Sequence, residues 1–399
     1  MTKNILIIGA GPAGLAFIMA VYKHNFNYTL TCYEKEDKIG GIWSKEAEEI
    51  KINDNMYYDN FGRYKLDDNQ IYKFGDYEIK NENKNIWLTK DVQVFLNNIC
   101  ELTKINISFN KKVIQIKPLK EGFNIEYIDL SDKFSKIHIS HFDIVINCSG
   151  PHAVFSDKII NTSDFKGPVL NYHKNNILKE LNNSIEKLKD KSILIIGMSF
   201  PCLDILNLFK YYKIMFKKVY ISDYCKAFDF DDSRINYFGE IKKIKKDTVY
   251  FSNNICKIDL IINTIGLSAD STIYPEKYQF YKGMICHNVE NLYSLANPGP
   301  LYCGFNSIYI RATYIVNVIN GNIKLANEKD KLIEIKNLEN KLKELSYKKY
   351  NDRINFLIEY YENLINDINK KNKLKDINIE KMLNSYDLLN YLNKNYINQ

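Results

Sequence analysis

The residue types near the start of the chain are those that bind a dinucleotide. Gly9, Gly11 and Gly14 follow the strand-like run 4–8, and Glu34 ends the next apolar run, twenty residues after Gly14. In a strand–turn–helix–strand unit, such glycines allow a tight turn, close approach of a pyrophosphate and close packing of the helix on the strand. The helix N-terminus then faces the phosphates, and the carboxylate accepts hydrogen bonds from ribose hydroxyls. The pattern predicts a dinucleotide-binding unit.

A second unit of the same kind begins near residue 191. The apolar run S-I-L-I-I ends at Gly197, which is the pattern of a buried strand. The next segment predicts a turn into a helix in which Leu203, Leu206 and Phe209 share one apolar face, and residues 217–222 predict the following strand. Two such units in one chain predict two nucleotide cofactors.

The segments between and after these units are predicted from shorter patterns. Apolar runs that end at Gly150 and Gly266 predict one further strand for each unit. Apolar residues spaced three and four apart predict helices from about residue 328 onward, after a helix over 307–320. Short strands are predicted at 107–109, 113–117, 123–130 and 136–141.

Composition narrows the class of protein. A net charge of +7 spread over 399 residues offers no basic stripe, which argues against nucleic-acid binding. None of the eight cysteines forms a C-x-x-C pair, so we expect buried, reduced thiols and a reducing compartment. The chain enters its first strand directly and has no apolar stretch long enough for a membrane span. These features predict a cytoplasmic protein that does not bind a membrane.

The residues after Glu34 carry a family resemblance. The segment E-K-E-D-K-I-G-G-I-W places Gly40, Gly41 and Trp43 behind that acidic residue. This run resembles the signature of flavin-containing monooxygenases, and the chain looks closest to the bacterial trimethylamine-monooxygenase branch. The segments M-Y-Y-D-N-F, F-G-D-Y, D-V-Q-V-F-L, I-N-C-S-G, F-K-G-P-V-L and G-M-S-F-P-C-L-D agree in order and spacing, up to about residue 330.

The resemblance implies cofactors, an activity and contact residues. In that family NADPH reduces FAD, molecular oxygen adds to the reduced flavin, and the flavin hydroperoxide transfers one oxygen atom to a small nitrogen- or sulfur-containing nucleophile. No side chain need act as a nucleophile, because the cofactor carries the chemistry. By resemblance, NADP would lie along Gly197, Ser199 and Phe200, and FAD would contact Gly9, Gly11, Ala13, Gly14, Glu34, Ile42, Trp43 and Val113.

The family layout also implies the fold. It is α/β, with two nested dinucleotide-binding (Rossmann-like) domains, a β-rich segment and a helical C-terminal tail. The tail could pack on the body, which we favour, or pair two copies into a homodimer. The expected segments are an FAD-binding domain formed by 1–167 and 267–330, an inserted NAD(P)H-binding domain at 168–266, and the tail at 331–399.

Several positions depart from the family pattern on the side of the oxygen chemistry. The family asparagine that supports the hydroperoxide would fall near Arg63, and Asn60 is the nearest amide before it, so these two are the candidate catalytic residues. A glutamine expected beside the flavin ring is Asn306. The family histidine is replaced by Asn171, and His173 lies two positions late.

The nicotinamide side departs from the pattern as well. The arginine expected to bind the 2′-phosphate of NADP aligns with Cys225, and Lys226 is adjacent to it. Lysine can replace arginine as a point charge but not as a bidentate donor. Asp223 would repel a phosphate nearby. These residues predict only a modest preference for NADPH over NADH.

Two other functions remain open alongside the monooxygenase. One is a flavoprotein that oxidises NAD(P)H without productive oxygenation, which the lost asparagine would favour. The other is a non-catalytic FAD-binding protein whose helical tail binds a partner, which the altered second unit would favour. A disulfide reductase of similar architecture is disfavoured, because the chain has no redox C-x-x-C pair.

Overall fold

The structure is a computed structural model of the full chain. The residues that it describes are 2–44, 49–53, 56–59, 73–74, 77–78, 89–150, 154–155, 162–171, 188–198, 202, 205–206, 209, 213–223, 232–265, 267–268, 271–296, 305–346 and 350–369.

Helices and strands are numbered along the chain. The helices are α1 (Pro12–Lys23), α2 (Thr89–Thr103), α3 (Phe305–Ile319), α4 (Glu328–Ser346) and α5 (Tyr350–Asn369). The strands are β1 (Asn4–Ile8), β2 (Thr29–Tyr33), β3 (Glu49–Asn53), β4 (Met56–Asp59), β5 (Lys73–Phe74), β6 (Tyr77–Glu78), β7 (Ile107–Ser108), β8 (Lys111–Pro118), β9 (Phe123–Asp129), β10 (Ile137–Phe142), β11 (Ile144–Asn147), β12 (Val154–Phe155), β13 (Val169–Asn171), β14 (Ser192–Ile196), β15 (Lys218–Ser222), β16 (Ile235–Tyr237), β17 (Ile241–Lys245), β18 (Thr248–Phe251), β19 (Ile255–Lys257), β20 (Leu260–Asn263), β21 (Leu267–Ser268), β22 (Phe280–Tyr281), β23 (Ile285–Cys286) and β24 (Leu292–Ser294).

The first large sheet has β1 near its centre, in the order β22-β23-β24-β11-β1-β2-β7. Its neighbours β2 and β11 both pair with β1 in parallel. Both faces of β1 are covered. Ile5 and Ile7 pack into the helical layer, whereas Leu6 and Ile8 pack against the antiparallel sheet β8–β10. This explains why the strand is apolar at consecutive positions instead of alternating.

The helical layer of the first sheet includes the C-terminal tail. Helix α1 is buried without interruption from Ala13 to Val21 and packs against α3. The tail helices join the same core through Ile335 and Tyr361, which are 2% and 0% exposed. The tail helices α4 and α5 therefore pack on the body of the molecule.

A second parallel sheet repeats this arrangement, in the order β13-β20-β14-β15-β16. The antiparallel sheet β17–β19 covers one face, where Leu194 and Ile196 of β14 pack against Ile244 and Val249. All strands of this sheet lie in sequence between β11 and β24 of the first sheet. That order is what a nested layout requires, while the boundaries at 167, 266 and 330 stay predictions.

Most predicted elements lie close to the observed ones. The predicted helix 307–320 is Phe305–Ile319, and the three strands predicted between residues 113 and 141 are β8, β9 and β10. The strands expected to end at Gly150 and Gly266 end earlier, at Asn147 and Asn263, and Gly266 lies outside the described residues. Within the described part of the chain, no helix is both long and apolar enough to cross a membrane.

Candidate cofactor-binding site

The turn after β1 can be built only with glycine at two positions. Gly9 has a φ of +101°, and a Cβ there would lie 2.7 Å from the carbonyl oxygen of Cys148. A Cβ on Gly14 would lie 2.0 Å from the carbonyl oxygen of Gly9. Helix α1 therefore approaches the turn more closely than any side chain would allow, which matches the predicted roles of these glycines.

Glu34 is fixed at the edge of the sheet beside this turn. Its side chain is 4% exposed. Oε2 accepts a hydrogen bond from the backbone N–H of Ala10 at 2.6 Å, and Oε1 accepts one from the N–H of Glu36 at 3.0 Å. The carboxylate is thus held next to the start of α1, where a ribose bound along the turn would meet it.

The second glycine pair lies against the first turn. The N–H of Gly40 donates to the carbonyl of Ala10 at 3.0 Å, and a Cβ on Gly41 would lie 3.4 Å from the Cα of Gly11. Helix α1 begins here with Pro12 at its first turn, and that turn holds no acidic residue. A surface without side chains at a helix N-terminus fits a pyrophosphate, because backbone N–H groups and the helix dipole both favour an anion.

An aromatic cluster adjoins this surface. The Trp43 ring meets the Phe305 ring edge to face at 6.2 Å, and Phe305 stacks on Phe95 at 6.0 Å. The Trp43 carbonyl accepts a hydrogen bond from Gln93 Nε2 at 2.7 Å. Asn306 follows Phe305 at the start of α3 and is 1% exposed. The cluster thus puts the predicted residue Trp43 in contact with Phe305, whose neighbour in the chain is the predicted residue Asn306.

Three other predicted FAD contacts differ in exposure. Ile42, in the short 3-10 turn after Gly40, is 37% exposed, whereas Ala13 is buried at the start of α1. Val113 is buried in the cluster that contains Ile8 and Tyr33. Its side chain thus packs in the core, so the predicted contact would have to involve its backbone.

The second turn repeats the geometry of the first. Gly197 has a φ of +104°, and a Cβ there would lie 2.9 Å from Thr264 Oγ1. The backbone N–H of Met198 donates to Asp223 Oδ2 at 2.5 Å. The Thr264 hydroxyl lies 2.9 Å from the carbonyl oxygen of Ile196 and 2.8 Å from that of Gly197, and it closes the turn on the side of β20.

Two buried asparagines, which sequence reasoning did not single out, form hydrogen bonds at the ends of β11 and β20. Asn147 Oδ1 accepts from the N–H of Ser149, and Asn263 Oδ1 accepts from the N–H of Ile265, both at 3.0 Å. Their signal in the sequence is the repeated motif I-N-x-x-G after each apolar strand. The two side chains thus hold the backbone that follows each strand, next to the glycine turn of the same unit.

The comparison with protein families decides the identity of this arrangement. Residues 2–225 match the family model described as flavin-binding monooxygenase-like, which spans both glycine turns. The chain belongs to this family. It is a flavin-dependent monooxygenase, as the resemblance of its first 45 residues predicted.

Individual relatives agree with the family. A trimethylamine monooxygenase of Roseovarius sp. (strain 217) is 25% identical over 361 residues, which are 82% of this chain and 77% of that protein. Among solved structures, Tmm from Pelagibacter sp. strain HTCC7211 has a TM-score of 0.72 at 18% identity, covering 98% of this chain and 90% of that one. This second likeness supports the α/β fold with its C-terminal helices.

The expected cofactors agree with these findings. The family binds a flavin. The OTEMO complex with FAD and NADP has a TM-score of 0.51 at 10% identity, covering 80% of this chain and 86% of that one. The predicted pair of FAD and NADPH is therefore the pair for which this flavin-binding monooxygenase fold is built.

Five predicted site residues of this flavin-binding monooxygenase lie outside the described residues. They are the candidate catalytic residues Asn60 and Arg63, and the nicotinamide-side residues Ser199, Phe200 and Lys226. Their roles stay predictions.

Three thiols of the first unit are held in their protonated form. Burial raises the pKa of Cys148, and burial together with the nearby Cys148 and Glu34 raises the pKa of Cys32. Burial raises the pKa of Cys100 to about 11. The thiolate is the reactive form of cysteine, so these three stay protonated and inert. Among the described residues, no group of His, Cys, Asp or Glu could hold a metal ion.

Proposed function

We propose that the chain uses FAD and a reduced nicotinamide cofactor, NADPH in the sequence prediction, to transfer one oxygen atom from molecular oxygen to a small nitrogen- or sulfur-containing nucleophile. The observation that carries this proposal is the contact between Gly11 and Gly41 at the N-terminus of α1. It joins the dinucleotide turn and the family signature in one surface that fits a pyrophosphate. The name of the trimethylamine monooxygenase relative supports the substrate class.

The candidate site residues that the structure describes each have a role in this proposal. Gly11 and Gly41 admit the pyrophosphate, and Glu34 binds the adenosine ribose. Trp43, with Phe305 behind it, forms an apolar wall that excludes water from the reacting centre. When bound, the flavin supplies the redox chemistry that activates oxygen. The side chains orient the cofactors and shield them, and Asn60 or Arg63 would supply the polar contact near the oxygen.

Gly11→Val tests the cofactor site with little effect on the backbone. Gly11 has an ordinary φ of −80°, and a Cβ there would meet Gly41 Cα at 3.6 Å, which is normal van der Waals contact. The branched methyl groups of valine would occupy the place of the phosphate oxygens. We expect loss of the bound yellow cofactor and a lower melting temperature, because a ligand that binds only the native state stabilises it.

Gly11→Ala is the matched control, since it adds only the Cβ that the site accommodates. It should retain more FAD than Gly11→Val, as measured by flavin absorbance per protein. Full FAD occupancy in purified Gly11→Val would refute the site.

Coupling tests the reaction itself. Trimethylamine and a thioether would be supplied with NADPH or NADH, and oxygenated product would be counted per nicotinamide consumed. A ratio near one supports the monooxygenase reaction with that substrate class. Rapid nicotinamide oxidation with peroxide as the product would support the NAD(P)H-oxidising alternative. The non-catalytic alternative would be supported if NADPH, added in the absence of oxygen, left the absorbance of the bound flavin unchanged.

The same proposal includes a cytoplasmic location. It is supported by cysteines that are reduced in the structure, which suits a reducing compartment: Cys32, Cys100, Cys148, Cys202, Cys256 and Cys286. Pairing of two copies into a homodimer stays a prediction, and its measurement is the molar mass in solution.

A further inference from the structure

The chain passes between the two dinucleotide units twice, once in each direction. It leaves the first sheet after β11 and enters the second sheet at β13. It leaves the second sheet after β20, and at Ile273 it lies against the first unit again, where the Ile273 carbonyl accepts from the N–H of Ile116 in β8 at 2.8 Å. Between these ends, the outgoing strand β12 pairs antiparallel with the returning strand β21. The two chains of the connection are therefore bonded to each other.

The same asparagine arrangement occurs at both ends of this connection. Asn147 ends β11, and its Oδ1 accepts from the N–H of Ser149 two residues later. Asn263 ends β20, and its Oδ1 accepts from the N–H of Ile265 two residues later. Because the oxygen of each amide faces a backbone donor, the nitrogen of each amide is the group that can donate to another part of the chain.

Each amide nitrogen donates to the chain that runs in the other direction. Asn147 lies on the outgoing chain, and its Nδ2 donates to the hydroxyl oxygen of Tyr274 on the returning chain at 2.6 Å. Asn263 lies on the returning chain, and its Nδ2 donates to Oδ1 of Asn171 in β13, on the outgoing chain, at 3.2 Å. These two linker pairs, Asn147–Tyr274 and Asn263–Asn171, join the two chains at the first and the second unit. Asn171 stands at the place of the family histidine, so this departure supplies the acceptor at the second unit.

Both linker pairs lie where a lost partner has a cost. Asn147 is 1% and Asn263 is 6% exposed, and a buried amide that loses its acceptor destabilises the arrangement that buries it. Burial raises the pKa of Tyr274 to about 12, and the phenol also hydrogen-bonds with Ser294 at the end of β24. Tyr274 is therefore neutral at ordinary pH and is held beside the ends of two strands of the first sheet.

We infer that Tyr274 and Asn171 are positioning residues, whose hydrogen bonds hold the second unit where NADPH bound to it can reduce the flavin of the first. The inference rests on the proposed function. In the step concerned, a hydride passes from NADPH to oxidised FAD, which takes one proton from solvent to become FADH₂, and NADP⁺ is left. Transfer between two bound rings depends steeply on their distance and alignment. The connection that carries one unit on the other therefore acts on the rate of this step.

The first test is anaerobic rapid mixing of the FAD-loaded protein with NADPH, followed by flavin absorbance. Tyr274→Phe removes only the hydroxyl and keeps the ring contacts with Tyr278 and Phe280, and Asn171→Leu removes the acceptor at similar volume. A hydrogen bond is worth about a two- to tenfold change in an equilibrium constant. Each variant should therefore slow flavin reduction at saturating NADPH by about two- to tenfold. FAD content and the apparent dissociation constant of NADPH should stay unchanged.

The second test is amide hydrogen exchange by mass spectrometry, without nicotinamide. Peptides that contain β12 and β21 should exchange about two- to tenfold faster in each variant, because the paired chains open more easily. Tyr28→Phe is the matched control. Its hydroxyl donates to Asn320, and this bond joins two parts of the first unit only. The control should change neither the exchange of these peptides nor the rate of flavin reduction. Asn171→Ala serves if Asn171→Leu does not fold.

The outcomes separate the inference from the function beneath it. A limiting rate of reduction that Tyr274→Phe and Asn171→Leu leave unchanged would overturn the inference, with or without faster exchange, and the monooxygenase proposal would stand. A slower rate that comes with loss of FAD, or that Tyr28→Phe shows equally, would overturn it as well, because the cause would be general destabilisation. Failure of NADPH to reduce the wild-type flavin would overturn the proposed use of that cofactor, and the inference with it.

Discussion

The two dinucleotide units make the same backbone hydrogen bond from their first glycine to the end of the second strand, and they differ in the residue five positions after that glycine. Gly14 of the first unit has no room for a Cβ, which would lie 2.0 Å from a carbonyl oxygen. At the equivalent place, five residues after the first glycine, the second unit has Cys202, a buried residue that carries a Cβ. The second unit therefore accommodates a side chain at the place where the first unit has no room for one.

The close approach at Gly14 belongs to a turn that is well enclosed. The first unit is backed by one large core that includes α1, α3 and the tail helices, and its turn is enclosed by the second glycine pair. In the second unit, the antiparallel sheet β17–β19 packs on β14 as β8–β10 packs on β1. A turn built as closely as the first suits a cofactor that stays bound.

The largest effect should come from removing a core aromatic residue in each unit. Tyr361→Ala in the tail and Phe209→Ala in the second unit each empty a site that is at most 1% exposed. Each should cost about 3–5 kcal/mol of unfolding free energy. Tyr361 packs in the core beneath the FAD turn, so only Tyr361→Ala should release flavin at a lower temperature, as followed by flavin fluorescence during heating. Equal release from both variants would break the comparison.

The next effect concerns the third position of each turn. Gly14→Ala forces α1 away from Gly9 and should cost about 1–3 kcal/mol, as overpacking does, with loss of FAD affinity. Cys202→Ala keeps its Cβ and removes only the sulfur, at about 1 kcal/mol. Urea unfolding of both variants measures the two costs. A larger cost for Cys202→Ala would contradict the argument that only the second unit has room for a side chain at this place.

The sequence was sufficient for the parts of the site that depend on local pattern. Apolar runs and glycines at fixed spacing locate β1, β14 and both turns, since a positive φ or a missing Cβ is a local requirement. The pairing of Gln93 with Trp43 joins residues 50 positions apart, and that of Trp43 with Phe305 joins α3 to the first turn. Neither has a local signature, because each depends on how separate elements pack.

Asp223 shows the same limit in a different way. The sequence identified its charge and its effect on a phosphate. Its equivalence to Glu34 follows only from the hydrogen bond to Met198, which crosses from the end of β15 to the turn after β14. The position of a carboxylate relative to a turn depends on the register of two paired strands, which the spacing of residues does not specify.

A smaller effect should come from the hydroxyl that closes the second turn. Thr264 contacts two carbonyl oxygens, at 2.9 and 2.8 Å, where the first unit has Cys148. Thr264→Val has nearly the same volume and should cost about 1–2 kcal/mol, because a buried carbonyl loses its donor. Nicotinamide affinity should fall with stability, while FAD content stays at the wild-type level. Loss of FAD in this variant would show that the two turns are not independent.

The smallest expected effect belongs to Lys226, and it sharpens the contrast between the two acidic residues. A lysine offers a 2′-phosphate one point charge, and an exposed ion pair is worth about 0–1 kcal/mol. Lys226→Ala should therefore weaken NADP⁺ binding by no more than about fivefold and leave NAD⁺ binding unchanged. An Asp223→Asn variant should show the opposite sign for NADP⁺, since it removes a repulsion. Calorimetry on both variants, and on the double variant, measures whether the two effects add. Equal weakening of both nucleotides by Lys226→Ala would place that side chain away from the 2′-position.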